Sequence, residues 1–201
     1  MTEFSNSLAV VIGIDQYGSG INSLQTAVSD VEAIAQSLQQ DHGYDVLSFV
    51  DQQATLSVLQ YLIATLLPRR EKPERQLMFY FAGHGIALNG EEGPEGYLIP
   101  QDATAGDTGS YLAMPKLQAA LSALPCRHFL GILDCCFAGA FRWSSTRDIG
   151  YESGPIYQER YNRFVQDPAW QILTSAAHDQ TALDAFSLTG HRGQVGAHSP
   201  F

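Results

Sequence analysis

Short apolar runs alternating with helical stretches predict an α/β three-layer sandwich, with a mostly parallel central sheet, helices on both faces and a small β-hairpin. Three observations carry this. The runs Leu8–Ile14, Leu77–Ala82, His128–Leu133 and Trp170–Thr174 have strand length and are rich in β-branched, aromatic and leucine residues, the pattern of strands covered on both sides. Between them, apolar residues recur at spacings of three and four, which places them on one face of a helix. Strands that alternate with helices join by crossovers, which makes the sheet parallel. With 201 residues and 45% hydrophobic content, the chain reads as one domain, 1–201, able to cover such a sheet.

After Leu8–Ile14 come Gly18 and Gly20, marking a turn, and then Leu24, Ala27, Val31, Ile34, Ala35 and Leu38 at helical spacing. Asn22 with Gln25 offers a start to that helix and Gly43 an end. Tyr44–Val50 reads as a second strand. Thr55 is placed to cap a helix carrying Leu56, Leu59, Leu62, Ile63 and Leu66, which Pro68 is expected to stop. Leu77–Ala82 runs straight into Gly83-His84-Gly85. The stretch from Gly85 to Pro100, punctuated by Gly90, Gly93 and Gly96, reads as the hairpin. Pro115 opens a helix with Leu117, Ala120, Leu121 and Leu124, and His128–Leu133 ends at Asp134-Cys135-Cys136. Residues 140–168 exceed an ordinary connector and read as a mobile loop, holding Arg142, Arg147, Arg160 and Arg163.

Composition narrows the function classes. A net charge of −10 without a basic or lysine-rich tract disfavours nucleic acid as a direct ligand. No run approaches the ~18 apolar residues of a membrane span, and no leader-like start is present. Three cysteines, two of them adjacent, make a poor disulfide framework and point to thiol chemistry in a reducing, cytoplasmic setting. His42, His128, His178, His191 and His198 lack the spacing to cysteines of a zinc site. Residues Gly13–Gly18 lack the G-x-G-x-x-G fingerprint of nucleotide binders.

His84 and Cys136 both follow apolar strands. If those strands are neighbours, both side chains rise into one crevice at the carboxyl edge, where ligands bind in such sheets. A thiol is mostly protonated at neutral pH, so a thiolate nucleophile needs a histidine to hold the ion pair. The main-chain N–H groups of Gly85 and Cys136 are the candidate donors to an oxyanion. A backbone carbonyl suffices to orient the imidazole, so no third side chain is demanded. Cys135, adjacent on an extended segment, points the other way and should face the core. Asp102 and Asp179 read as turn or cap residues.

These residues resemble the caspase and metacaspase clan, over nearly the whole chain from about Leu8 to Phe201. In caspases the histidine stands ~50 residues before the cysteine of Q-A-C-x-G, and the offset here is 136 minus 84. Asp134-Cys135-Cys136-Phe137-Ala138-Gly139 is similar to the metacaspase D-S-C-H-S-G element, agreeing at the aspartate, the nucleophile position and the glycine. Cys135, Phe137 and Ala138 replace its Ser, His and Ser. Ala82–Gly85 is similar to the histidine turn of these proteins, Tyr97–Asp102 to the strand after it, and Leu24–Leu38 to their first helix.

The resemblance implies a cysteine endopeptidase with Cys136 as nucleophile, His84 as its proton carrier and no organic cofactor. Some metacaspases require calcium, but no dense acidic cluster like an EF-hand is visible. Where caspases use glutamine and arginines to bind an aspartate, this chain has Asp134, and Asp30 on the first helix. If both line the pocket, they favour a substrate arginine or lysine, and the loop arginines become candidate self-cleavage points. Relatives typically continue beyond the point where Phe201 ends this chain, so it is expected to be one module of a longer protein, with a regulatory or sensor part beyond. Two other readings compete: an inert module of the same fold that binds a partner, and an oxidant sensor using the Cys135–Cys136 pair.

Overall fold

The computed structural model describes residues 7–72, 75–90, 93–136 and 169–175. Five parallel strands, β1 (Leu8–Gly13), β2 (Asp45–Val50), β3 (Gln76–Ala82), β7 (His128–Asp134) and β8 (Ala169–Thr174), form one sheet in the order β2-β1-β3-β7-β8. A second, antiparallel sheet holds β4 (Gly85–Gly90), β5 (Gly93–Leu98) and the short β6 (Leu112–Ala113). The helices are α1 (Ala27–Gln40), α2 (Leu56–Tyr61), α3 (Leu67–Arg70) and α4 (Met114–Ser122).

Strand alternation sorts the core into two layers. Leu8, Val10 and Ile12 of β1, with Leu77, Phe79 and Phe81 of β3, pack against Leu59, Leu67, Leu117 and Leu121 from α2, α3 and α4. Val11, Tyr80 and Ala82 point the opposite way and are covered by Ala27 and Val31 of α1. Because every residue of β1 is buried, this strand alternates between two apolar layers rather than between core and solvent. Each large side chain removed from water here contributes about 1.5–3 kcal/mol. The three-layer sandwich with its hairpin is therefore present as expected.

Two local expectations differ from the structure. Helix α1 begins at Ala27, not near Asn22: its N-cap residue is Thr26, and Asp15 Oδ1 from the preceding loop accepts the Ala27 N–H at 2.9 Å. Pro68 does not end the second helical segment. Residues Leu62–Leu66 form a π-helical turn in which the Leu67 N–H reaches the Leu62 carbonyl, and this wider turn admits the proline ring at the start of α3. Thr55 does cap α2, accepting from the Val58 N–H, and Asp102 Oδ1 takes the Leu56 N–H at 2.8 Å. The long loop 140–168 and Asp179 lie outside the described residues. No helix among the described residues is long and apolar enough to cross a membrane.

Parallel register makes the carboxyl ends of the central strands level. Val50, Gly13, Ala82 and Asp134 are consecutive Cα partners across β2, β1, β3 and β7. Four connections therefore leave the sheet from one straight row, which is where the functional residues gather. At the opposite edge lies Glu71, directly after α3. It is buried, and both its carboxylate oxygens lack a hydrogen-bond partner among the described residues.

Burial pushes the Glu71 carboxyl up from 4.5 to about 7, with Arg75 opposing. In the folded chain it thus keeps its proton to about pH 7, while unfolded it releases it near 4.5. Folding takes up a proton between these values, so stability falls as pH rises through that window. Glu71→Gln should match the wild type in urea unfolding below the lower value. By about pH 8 it should be more stable by on the order of 2 kcal/mol.

Candidate active site

The row of strand ends brings His84 and Cys136 together. Strands β3 and β7 are neighbours with Ala82 opposite Asp134, and the Gly83 N–H donates to the Asp134 carbonyl at 3.2 Å, so the pairing continues beyond the strands. A Cβ added at Gly85 would collide with the Cys136 carbonyl oxygen and lie 3.0 Å from Cys135 Sγ. Main chain of the histidine turn thus touches main chain of the cysteine turn, and any side chain at Gly85 would push them apart.

His84 is partly exposed at the edge. Its Nε2 lies 2.8 Å from the Asn22 carbonyl oxygen. A carbonyl can only accept, so Nε2 carries the proton and Nδ1 is the basic nitrogen of the neutral ring. The backbone carbonyl expected to orient the imidazole is therefore that of Asn22, a residue first read as a helix cap. The main-chain N–H of His84 donates to Tyr17 Oη at 2.8 Å, and the Tyr17 ring lies against the imidazole with centroids 4.8 Å apart.

The three thiols differ sharply in setting. Cys126 and Cys135 are buried, whereas Cys136 is partly exposed, and none is in a disulfide. Burial pushes the Cys126 thiol up to about 12, with the charge of Glu71 adding to it. Burial also drives Cys135 far above its ordinary value, reinforced by Cys136 and Asp134. Both are kept as neutral thiols, unfit as nucleophiles at neutral pH. Cys135 sits in the core layer, as alternation after Asp134 requires.

Asp30 and Asp134 are both buried, at 6% and 8% exposure. Asp134 ends β7, and Asp30 lies in the first turn of α1, on the layer holding Tyr80. Burial first, then the charges of Asp134 and Asp30, lifts the Tyr80 phenol well above its ordinary value. Both carboxylates therefore act electrostatically on one phenol at the α1 face. Tyr17 and Tyr80 belong to none of the sequence motifs above. For Tyr17 a signal existed, since it sits on the loop leaving β1 at the sheet's carboxyl edge. Tyr80 reads in sequence as one more apolar strand residue.

Among the described residues no three His, Cys, Asp or Glu side chains cluster as a metal site. What the edge presents chemically is a partly exposed thiol on the turn adjoining that of a tautomer-fixed imidazole, with two buried carboxylates, Asp30 and Asp134, on the α1 side.

Comparison with known proteins bears on the family and the fold. The family model described as caspase domain matches residues 6–201. Among solved structures, the chain is similar to the crystal structure of protein GSU0716 from Geobacter sulfurreducens, with a TM-score of 0.54 and 18% identity, covering 66% of this chain and 51% of that one. The match thus spans about half of that chain, and at this identity it speaks for the fold alone. No curated protein matches the sequence.

Gly85→Ala should destabilise the fold by about 1–3 kcal/mol through overpacking, or roughly 2–4 °C of melting temperature per kcal/mol in a domain of this size. Gly18→Ala is the control, because a Cβ there meets nothing within 4 Å. Calorimetry showing equal melting of both variants would contradict the close approach.

Proposed function

Because the chain belongs to the caspase domain family, a family of cysteine peptidases, we propose that it is an endopeptidase cleaving after arginine or lysine. In this reading Cys136 is the nucleophile and His84 the general acid and base. The observation that carries it is the emergence of His84 and Cys136 from adjacent, level strand ends, with Nε2 tied to the Asn22 carbonyl.

The reaction follows from these groups. His84 Nδ1 takes the thiol proton, and the thiolate attacks the substrate carbonyl carbon. The resulting oxyanion is stabilised by the N–H groups of Gly85 and Cys136. The tetrahedral adduct collapses as the imidazolium gives its proton to the departing amine, leaving a thioester on Cys136. Water, deprotonated by His84, then attacks the thioester carbonyl; the carboxylic acid leaves and the thiol is restored. The Asn22 carbonyl stabilises the imidazolium formed in each half, and no cofactor enters any step.

Asp30 and Asp134 are the proposed walls of the pocket for the residue before the cleaved bond. Two carboxylates in a recess shielded from water favour a guanidinium or ammonium through charge-assisted hydrogen bonds, and repel an acidic side chain. The arginines of 140–168 are proposed as self-cleavage points on the same preference. The partner of the site is a protein or peptide in the cytoplasm, with regulation supplied by a domain or sensor outside this segment.

A panel of fluorogenic peptides with Arg, Lys, Asp, Leu or Ala before the bond tests this, with and without calcium. Arg and Lys peptides should be cleaved by wild type and Cys135→Ala, and not by Cys136→Ala. Asp134→Asn should lose about 1.5–3 kcal/mol of transition-state binding for the Arg peptide, roughly ten- to hundred-fold in kcat/KM. Cleavage only after Asp or Leu removes the acidic pocket and spares the nucleophile. No turnover with any peptide, together with slow iodoacetamide labelling of Cys136, would leave an inert binding module of this fold.

A further inference from the structure

The loop between β1 and α1 grips His84 at three points. Tyr17 Oη accepts the His84 main-chain N–H at 2.8 Å. The Tyr17 ring packs on the imidazole at a centroid distance of 4.8 Å and a tilt of 47°. The Asn22 carbonyl takes Nε2 at 2.8 Å. Since Tyr17 and Asn22 belong to one short loop, the position of that loop sets both the backbone and the ring of His84.

The loop is itself tied down from the end of β2. Asp51 Oδ1 accepts the N–H groups of Asp15 and Gln16, each at 2.9 Å. Asp51 has φ 43°, a left-handed conformation rare in residues other than glycine and most tolerated by Asn and Asp. Asp15 then closes the loop upon itself: its carbonyl accepts the Leu24 N–H at 2.8 Å, and its Oδ1 holds the Ala27 N–H. Room for the tyrosine hydroxyl comes from Gly83, where a Cβ would lie 2.7 Å from Tyr17 Oη. The hydroxyl is thus fitted to the histidine turn, and a phenyl ring alone would leave the His84 N–H without this acceptor. Burial keeps the phenol neutral, so it can accept that N–H and still hold its own proton.

The geometry points to Tyr17 as a positioning residue that fixes His84 through its hydroxyl, with Asp51 as the anchor of the loop that carries it. This deepens the proposed function and rests on His84 serving Cys136. The hydroxyl fixes the height of the His84 backbone above β3, the ring fixes the plane of the imidazole, and the Asn22 carbonyl fixes its tautomer. Removing the hydroxyl alone leaves the ring packing in place and frees the turn to shift.

Tyr17→Phe in the whole chain tests this with two independent readouts. With the best-cleaved peptide, kcat should fall about ten-fold or more while KM changes less than about two-fold, as expected when a proton carrier is misplaced without loss of substrate contacts. In histidine labelled with nitrogen-15, wild-type His84 should show a single tautomer protonated on Nε2, and Tyr17→Phe a mixture. Asp51→Asn, which keeps an acceptor oxygen and tolerates the same backbone, should retain both properties, and Asp51→Ala should reproduce the Tyr17→Phe defect. Unchanged kcat and an unchanged tautomer in Tyr17→Phe would overturn the proposal. Should Tyr17→Phe fail to fold, the Asp51 pair decides, and equal behaviour of Asp51→Asn and Asp51→Ala overturns it. The tautomer readout does not depend on turnover, so a wild type that cleaves nothing would count against the peptidase reading while still judging Tyr17.

Discussion

Everything at the site depends on one constraint, the level parallel register of β2, β1, β3 and β7. A parallel pair offset by even two residues would raise one turn above its neighbour by roughly two strand rises, about 7 Å. Here Val50, Gly13, Ala82 and Asp134 stand in one row. The next few residues of each chain segment therefore meet: Asp51, the loop holding Tyr17 and Asn22, the His84 turn and the Cys136 turn. Each has a different job, and none could be supplied by an element that crosses the sheet elsewhere. The contact between Gly85 and Cys136 main chain is the tightest expression of that register.

The loop after β1 shows how a parallel sheet converts topology into orientation. Its first residues are pinned by Asp51, its last by the start of α1, and its middle spans the histidine turn. A carbonyl rather than a carboxylate faces Nε2. That choice fixes the tautomer without placing a full negative charge beside the imidazole. The buried carboxylates of Asp30 and Asp134 act on Tyr80, on the α1 face.

Much of this was legible in the sequence because periodicity reports faces. The fully apolar runs of β1 and β3 announced a sheet covered on both sides, and residues following such runs had to lie at its edge, which located His84 and Cys136. Adjacent residues on extended chain alternate, which placed Cys135 in the core. Less legible were contacts made by main chain or between distant turns. The Asn22 side chain suits a cap, whereas its part is played by a carbonyl that every residue possesses. Asp51 and Tyr17 are joined to their targets across strands, a relation that no spacing along the chain encodes. Pro68 reads as a stop because an ordinary helix cannot hold it, whereas a π turn ahead of it can.

The same alternation explains why two adjacent cysteines are not interchangeable. Asp134, at the end of β7, faces the α1 layer with Ala82 as its register partner. Cys135 must then turn toward α2 and α4, where burial keeps its thiol protonated. Cys136 is the first residue past the strand free to stand at the edge beside His84. The aspartate and Cys136 thus lie either side of a residue devoted to packing. A bulkier apolar residue in place of Cys135 would press on Gly85, whose hypothetical Cβ already lies 3.0 Å from its sulfur. A small side chain meets that limit. Cys135 is therefore explained by the packing under the site, and its thiol needs no chemistry of its own.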